Sequence, residues 1–215
     1  MKLRIGKKGI SISAFKLTSA EIEQQAVSDL LNYHRTFLSR YGKKAINPLD
    51  VESFIKELWN IEVDYDSLPQ SDNEEILGLF EPDKQRIIID PKACNNKGRT
   101  SFTVAHEAGH LSLHSFLFVF NNGKITGWKN AQPPADKNIE KQADLYAASL
   151  LAPEREIYDF LREKGLLGSN SITSPIDLLI HGSSFQDRFG LSRQALEIRL
   201  SRLKLPMLNK KYGYD

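Results

Sequence analysis

The pentapeptide His106-Glu107-Ala108-Gly109-His110 carries the residue types of a catalytic zinc site. On an α-helix, positions i and i+4 lie about 40° apart around the axis, so both imidazole rings point in the same direction. Two converging imidazoles supply half of a tetrahedral zinc site. Glu107 is rotated by about 100° from His106, which lets its carboxylate reach a water on the metal without ligating the metal. The pattern therefore indicates metal-assisted hydrolysis, and two surface histidines on an amphipathic helix are the alternative.

A third protein ligand is needed, because a catalytic zinc site combines three protein ligands with one open position. Glu140 and Asp144 stand one helical turn apart, so a helix places both carboxylates on one face. Glu140 is the candidate third ligand, and Asp144 is the candidate acceptor for the second ring N–H of a ligand histidine. A solvent-facing acidic pair is the alternative explanation of this spacing.

His114 competes with Glu140 for the third position, since it extends the stripe of His106 and His110 by four more residues. Each such step moves a side chain by about 6 Å along the helix axis, so three histidines of one straight helix rarely reach one ion. We therefore expect His114 at the edge of the pocket or behind a ligand. His34 and His181 have no motif around them, and an ordinary structural role is expected for both.

Hydrophobic periodicity and turn residues predict the elements around these motifs. A capping box of Thr18 and Glu21 predicts the start of a first helix, and Gly42 predicts its end. Further helices are predicted from Asn47-Pro48 onward, over 101–118, over 139–151, after Pro153, over 175–188 and over 192–204. Strands are predicted at 3–12 as a small hairpin, at 61–65, and at 77–80 and 86–90 as a second hairpin, while 119–134 is predicted to be a loop.

Composition restricts the class of protein. The 215 residues suit one domain of ordinary size, and 29 Lys and Arg against 27 Asp and Glu leave a net charge of +2. A uniformly basic nucleic-acid-binding surface is therefore excluded, although both ends of the chain are locally basic. The single cysteine, Cys94, excludes an intrachain disulfide and a cysteine-built zinc cluster. The sequence shows no signal peptide and no apolar stretch of membrane-spanning length, which predicts a cytoplasmic protein.

The chain resembles the ImmA/IrrE family of bacterial and phage-associated metallopeptidases over most of its length. The matching segments are Pro48–Val51, Ile76–Phe80, Arg86–Asp90, Arg99–His110, Glu140–Pro153 and Arg188–Leu200. This resemblance implies a gluzincin-type zinc peptidase with one Zn²⁺ per chain, bound by His106, His110 and Glu140. Glu107 is then the general base. Family members commonly carry Asn where this chain has Asp144, and Asp at this place is usual in related gluzincins.

The resemblance also implies the fold and its divisions. We expect an α+β, mainly helical, zincin-like metallopeptidase domain with a small antiparallel sheet and a C-terminal helical pair similar to a helix-turn-helix. Residues 47–165 are expected to form the zinc peptidase core, preceded by an N-terminal hairpin and helix elaboration at 1–46. Residues 166–215 are expected to be a closing helical segment with a basic tail, in one compact unit with the core.

The implied substrate is a protein, namely a DNA-binding repressor with a helix-turn-helix domain that controls a mobile element, a prophage or a stress response. No membrane partner is implied. Related zinc peptidases hold an extended substrate against an edge strand, and the segments 76–80 and 86–90 are the two candidates for that edge. Tyr146, His114 and His181 are candidates for stabilising the oxyanion on residue type alone.

Two other classes of function remain open. One is a DNA-binding regulator, because residues 175–204 have the length of a helix-turn-helix and carry Arg188, Arg193, Arg199 and Arg202 near the second helix. The leucines and Ile198 of this segment leave little free face for bases, so a helical pair that closes the peptidase domain is favoured over direct DNA binding. The other class is an interaction module whose metal site is structural or silent.

Overall fold

The computed structural model describes residues 17–43, 48–69, 76–122, 124–128, 137–165 and 182–203. These ranges form a mainly helical α+β structure, as the sequence predicts. Their helices are α1 (Ser19–Tyr41), α2 (Val51–Trp59), α3 (Lys97–Leu113), α4 (Lys137–Leu151), α5 (Glu154–Glu163), α6 (Gly182–Phe189) and α7 (Arg193–Arg202). Their strands are β1 (Glu62–Tyr65), β2 (Gly78–Glu81), β3 (Arg86–Ile89), β4 (Phe118–Asn121) and β5 (Lys124–Trp128). The hairpin predicted at 3–12 lies outside the described residues.

Helix α1 begins and ends where its capping residues predict. The Thr18 hydroxyl accepts a hydrogen bond from the Glu21 N–H (3.2 Å), and the Glu21 carboxylate accepts one from the Thr18 N–H (2.8 Å). Gly42 ends the helix at φ +65°, a conformation that glycine adopts at little cost. The helix packs against α2, α3 and α4. Its buried apolar residues are Ile22, Ala26, Leu30 and Tyr33.

Helix α2 begins at Val51, three residues after the predicted Pro48. Asp50 caps it, because its carboxylate accepts hydrogen bonds from the N–H of Ser53 (3.1 Å) and from the Ser53 hydroxyl (2.8 Å). Aspartate is among the preferred residues at the N-cap position, and the helix therefore starts after Asp50 instead of at Pro48. Asn47 lies outside the described residues.

The larger sheet of the described residues is mixed, with the strand order β1-β3-β2. β2 and β3 form the predicted antiparallel hairpin, in which Phe80 pairs with Ile87. β1 runs parallel to β3, with Val63 opposite Ile87. The expectation of a purely antiparallel sheet is therefore wrong, because an alternating apolar pattern identifies a strand without giving its direction. Within this sheet β3 is the central strand and β2 lies at an edge.

The chain after α3 departs from the prediction. The helix ends at Leu113, and a 3₁₀ turn at Ser115–Leu117 leads into the β4–β5 hairpin, where a longer helix and then a loop were predicted. Phe118 is buried, and its ring meets that of Phe80 edge to face with 5.4 Å between centroids. A short apolar run is compatible with either a helix or a strand, and packing against β2 decides in favour of the strand.

Helices α5 and α6 pack against each other through aromatic side chains. α5 begins directly after Pro153, as predicted. Phe185 and Phe189 of α6 pack against Phe160 of α5, with ring centroids 4.5 and 5.8 Å apart. Gly190, at φ +62°, then turns the chain toward α7. Residues 175–181 of the predicted helix are outside the described ranges, and no described helix combines the length and apolar content needed to cross a membrane.

Candidate metal centre

Helices α3 and α4 approach each other closely at Gly109. A Cβ atom at this position would lie 3.0 Å from the Cα atom and 3.1 Å from the carbonyl oxygen of Ala143. These two small residues therefore bring the backbones of the helices together, since any side chain at position 109 would meet backbone atoms. The histidine motif alone gives no role for Gly109, although the glycine stands inside it. The close approach places the side chains of the two motifs within reach of each other.

Three candidate ligand atoms meet where the helices approach, and all lie within 4.8 Å of one another. The Nε2 atoms of His106 and His110 are 3.1 Å apart. Oε2 of Glu140 lies 3.2 Å from the first of these nitrogens and 3.7 Å from the second. Ligand atoms about 2.1 Å from a tetrahedral zinc ion are separated by about 3.4 Å. Both the spacing and the donor types, two imidazoles and a carboxylate, therefore fit zinc.

Glu107 lies between the ligand helix α3 and the edge strand β2. Its side chain is 9% exposed, and its Oε1 atom would lie 2.5 Å from a Cβ atom added to Gly78. The carboxylate thus occupies the space that the missing side chain of Gly78 leaves open. β3 is paired on both sides, whereas β2 is an outer strand of the three-stranded sheet and contains Gly78. This distinguishes between the two segments proposed as a substrate edge.

Asp144 contacts the other ring nitrogen of His106, since its Oδ1 atom lies 2.9 Å from Nδ1. Burial by itself lowers the pKa of His106, but hydrogen bonds to Asp144 and Glu140 outweigh burial and raise this pKa to about 10. The hydrogen bond from His106 and the nearby ring of His110 in turn hold the pKa of Glu140 well below its usual range. The carboxylates therefore favour positive charge at this point, which a metal cation supplies as well as a proton does.

His114 lies behind His110 and is not part of the three-residue group. Its Nδ1 atom is 3.1 Å from Nδ1 of His110, and its Nε2 atom is 3.0 Å from Oε1 of Gln142. The residue is 1% exposed, and burial lowers its pKa to about 4. Its placement behind a candidate ligand agrees with the expectation from helix geometry.

A family comparison identifies the protein class. The family model described as Peptidase_M78, an IrrE N-terminal-like domain, matches residues 59–201, about two thirds of the chain. The chain belongs to the Peptidase_M78 family. This membership confirms the resemblance to ImmA/IrrE metallopeptidases. No curated protein matches the chain.

A transcriptional regulator from Mycobacterium tuberculosis has a similar fold. The two structures superpose with a TM-score of 0.50 over 89% of the Peptidase_M78 chain, at 14% sequence identity. The match covers 53% of the regulator, so the present chain spans about half of its length. At this identity the comparison supports the α+β fold alone.

Tyr146 of the Peptidase_M78 chain is fully buried, which removes it from the candidates for stabilising an oxyanion. Its hydroxyl donates a hydrogen bond to Oδ2 of Asp29 (2.7 Å), which also accepts one from the Ser112 hydroxyl (2.5 Å). Asp29 of α1 thereby joins α3 and α4, a role that was not predicted from the sequence. The available signal was a carboxylate on the apolar face of α1, between Ala26 and Tyr33. His181, another oxyanion candidate, lies outside the described residues.

Of the four arginines considered for DNA contact, Arg199 is buried and Arg193 forms an ion pair on the surface. Arg199 is 1% exposed, and it donates hydrogen bonds to the carbonyl oxygen of Ala152 (3.0 Å) and to the Glu23 carboxylate (2.7 Å). Arg193 pairs with Glu197 on the surface of α7 (3.0 Å). Helix α7 thus uses Arg199 to attach to α1 and to the end of α4. This favours a closing helical pair over a DNA-reading helix.

Proposed function

We propose that this Peptidase_M78 chain is a zinc-dependent endopeptidase of the gluzincin type, with a zincin-like core and a helix-turn-helix-like C-terminal pair. The observation that carries the proposal is the group of His106, His110 and Glu140, whose spacing suits one tetrahedral zinc ion. Three protein ligands leave a fourth position for water or substrate, which distinguishes a catalytic site from a closed structural one. Asp144 supports the group by accepting a hydrogen bond from Nδ1 of His106.

In the proposed mechanism Glu107 is the general base. Zinc, when bound, acidifies a water molecule and polarises the carbonyl of the scissile peptide bond. Glu107 takes a proton from the attacking water and later gives it to the nitrogen of the leaving amine. Its position is supported by burial between α3 and β2, which excludes bulk solvent from one side of the carboxylate.

We further propose that the substrate binds as an extended strand alongside β2, an outer strand of the three-stranded sheet. A strand in this position exchanges backbone hydrogen bonds with β2, so that recognition does not depend on a single side chain. Gly78 lies in β2 directly beside Glu107, and a peptide paired with this strand passes the catalytic carboxylate. The mode suits a protein substrate with an accessible extended segment.

The proposed substrate is a DNA-binding transcriptional repressor with a helix-turn-helix domain, which controls a mobile element, a prophage or a stress response. This part of the proposal rests on the resemblance to the ImmA/IrrE family and on membership of Peptidase_M78. The fold shared with a protein described as a transcriptional regulator is consistent with a regulatory setting.

The first test measures metal content in the purified full chain and in His106→Ala and Glu140→Ala. We expect about one zinc per chain in the wild type and a large loss in both variants. His34→Ala and Glu154→Ala replace the same residue types away from the site and should retain zinc. A wild type that takes up no zinc when zinc is supplied would refute the metallopeptidase proposal and favour a protein-interaction or DNA-binding regulator.

The second test measures cleavage of a helix-turn-helix repressor encoded beside this chain. Glu107→Gln should bind zinc and fold as the wild type does, while cleavage falls to background because the amide cannot take the proton. Cleavage by Glu107→Gln at the wild-type rate would contradict its assignment as the general base.

A further inference from the structure

We propose that Gln142 and His114 form a buried hydrogen-bonded chain that fixes the ring tautomer of His110, leaving its Nε2 atom free to bind the metal. The inference rests on the proposed zinc site, and it concerns how the protein prepares one ligand of that site. It makes His114 and Gln142 positioning residues, since neither belongs to the three-residue ligand group.

Gln142 determines which atom is the donor and which the acceptor in each of the two hydrogen bonds. Its Oε1 atom lies 3.0 Å from Nε2 of His114, and an amide oxygen can only accept a hydrogen bond. Nε2 of His114 therefore carries the proton. In the neutral imidazole one nitrogen donates and the other accepts, so with the proton on Nε2 the second nitrogen, Nδ1, is the acceptor.

The position of the proton on His110 follows in the same way. Its Nδ1 atom lies 3.1 Å from the acceptor Nδ1 of His114, so the proton of His110 is on Nδ1. The lone pair of His110 is then on Nε2, the atom that lies 3.1 Å from Nε2 of His106 and 3.7 Å from Glu140. Two successive hydrogen bonds thus direct the ligating nitrogen toward the candidate metal position.

The two histidine ligands are consequently oriented by different groups. His106 donates to the carboxylate of Asp144, which is half exposed at the surface. His110 instead donates to a neutral ring that is itself held by a buried amide, with Gln142 8% exposed. A partner of this kind fixes the ring without adding negative charge to the core. This gives a function to the third histidine of the stripe, which is too far along the helix to join the ligand group.

The test compares zinc dissociation constants, measured by competition with a chelator, in the full chain and its variants. Gln142→Leu removes the acceptor that orients His114, and His114→Leu removes the acceptor for His110. We expect each to weaken zinc binding by about 10- to 100-fold, the usual effect of losing a partner behind a metal ligand. His34→Leu, on α1, is the matched control and should leave the affinity unchanged.

His114→Asn separates hydrogen bonding from packing. The amide oxygen of asparagine reaches nearly the place of Nδ1 in histidine, so this variant should keep most of the zinc affinity that His114→Leu loses. Once His114 is Asn, adding Gln142→Leu should have little further effect on zinc affinity, because the chain through His114 no longer exists. Equal losses in His114→Asn and His114→Leu, or fully additive effects, would overturn the proposal.

A direct reading of the tautomer comes from ¹⁵N NMR of the imidazole rings in the metal-free wild type. We expect Nδ1 of His110 to be protonated and Nε2 to be unprotonated. A proton on Nε2 would overturn the proposal even if the leucine variants fail to fold. If the wild type binds zinc and Gln142→Leu binds it with unchanged affinity, only the proposed hydrogen bonds of Gln142 and His114 are refuted. A wild type that binds no zinc would refute the metal site as well.

Discussion

Gly78 is the point at which the edge strand and the proposed general base come into contact. The strand β2 passes close to the Glu107 carboxylate because position 78 has no side chain. Its backbone is not in the left-handed region, so an alanine there would meet no backbone strain, only the carboxylate itself. The flexible end of Glu107, rather than the strand, is then the part that moves.

Gly78→Ala should therefore impair catalysis while leaving fold and metal in place. A displacement of about 1 Å at a catalytic group costs roughly 100-fold in rate, so we expect a fall of this order in kcat. Steady-state kinetics, zinc content and thermal unfolding of the variant measure the three properties separately. A kcat equal to that of the wild type would mean that Glu107 keeps its position or is not the base.

At the scale of elements, the contact between α3 and α4 controls whether a site exists. The ligands come from both helices, and the spacing of the helices at Gly109 and Ala143 sets the distance between them. A glycine inside a helix normally lowers stability by about 1 kcal/mol relative to alanine. Position 109 is therefore one where packing between helices outweighs helix propensity.

Gly109→Ala should reverse the usual effect of this substitution. Instead of a gain, we expect a loss of about 1–3 kcal/mol in the free energy of unfolding, because the new methyl group meets the backbone of Ala143. Zinc affinity should fall as well, since α3 and α4 are pushed apart. Urea unfolding of the metal-free protein gives the first quantity, and chelator competition gives the second. Increased stability with unchanged zinc affinity would contradict the role assigned to this contact.

The link between β3 and the 3₁₀ turn at Pro91–Asn95 depends on the carboxylate of Asp90. It accepts hydrogen bonds from the N–H groups of Leu68 (2.8 Å) and Lys92 (2.9 Å). These bonds, that of Leu68 first, lower the pKa of Asp90 below its ordinary value of 3.8, and burial opposes them only in part. A carboxyl group with a lowered pKa in the folded state stabilises the fold at higher pH, where it is ionised.

Asp90→Asn should consequently reduce stability at neutral pH more than in acid. The contribution of Asp90 is complete above about pH 3.8 and disappears as the pH falls through the lower pKa of the folded state. We expect the midpoints of urea unfolding for wild type and variant to differ at pH 7 and to converge toward pH 2. A difference that is constant with pH would show that the ionised carboxylate is not what matters.

At the scale of the whole molecule, α1 is tied to the helices that carry the site. Asp29 accepts hydrogen bonds from Ser112 of α3 and Tyr146 of α4, and Glu23 pairs with Arg199 of α7. The C-terminal pair is attached at a second place, because Gly98 at the start of α3 lies against the backbone of Ser192. The described parts of the N- and C-terminal segments therefore both pack on the helices of the site.

Removal of residues 1–46 should consequently unfold the metal site. A separable N-terminal elaboration could be removed without this effect. The loss of α1 exposes apolar faces of α2 and α4, and it leaves the buried hydroxyl of Tyr146 and the half-buried hydroxyl of Ser112 without their acceptor. We expect the truncated chain to show no cooperative thermal transition and no tight zinc binding. Asp29→Ala is the milder form of the experiment, with an expected cost of about 3 kcal/mol in unfolding free energy. A truncated chain that folds and binds zinc would instead support residues 1–46 as a separable elaboration.

The sequence by itself determined what depends on neighbours within one helix. The relation of His106, Glu107 and His110 follows from 3.6 residues per turn, and so does the shared face of Glu140 and Asp144. The caps of α1 are equally local, because each joins groups only a few residues apart. Family membership was also accessible, since ordered motifs are read along the chain.

Only the tertiary structure decided which of these local patterns meet. Several findings depend on elements that are distant in sequence. They are the parallel direction of β1, the outer position of β2, the contact of Gly78 with Glu107 and the hydrogen bond between His114 and Gln142. Such contacts depend on how several elements fill a core together, and hydrophobic periodicity gives the buried face of an element without its partner. The ligand types could therefore be predicted from single helices, whereas their distances are a property of the packed fold.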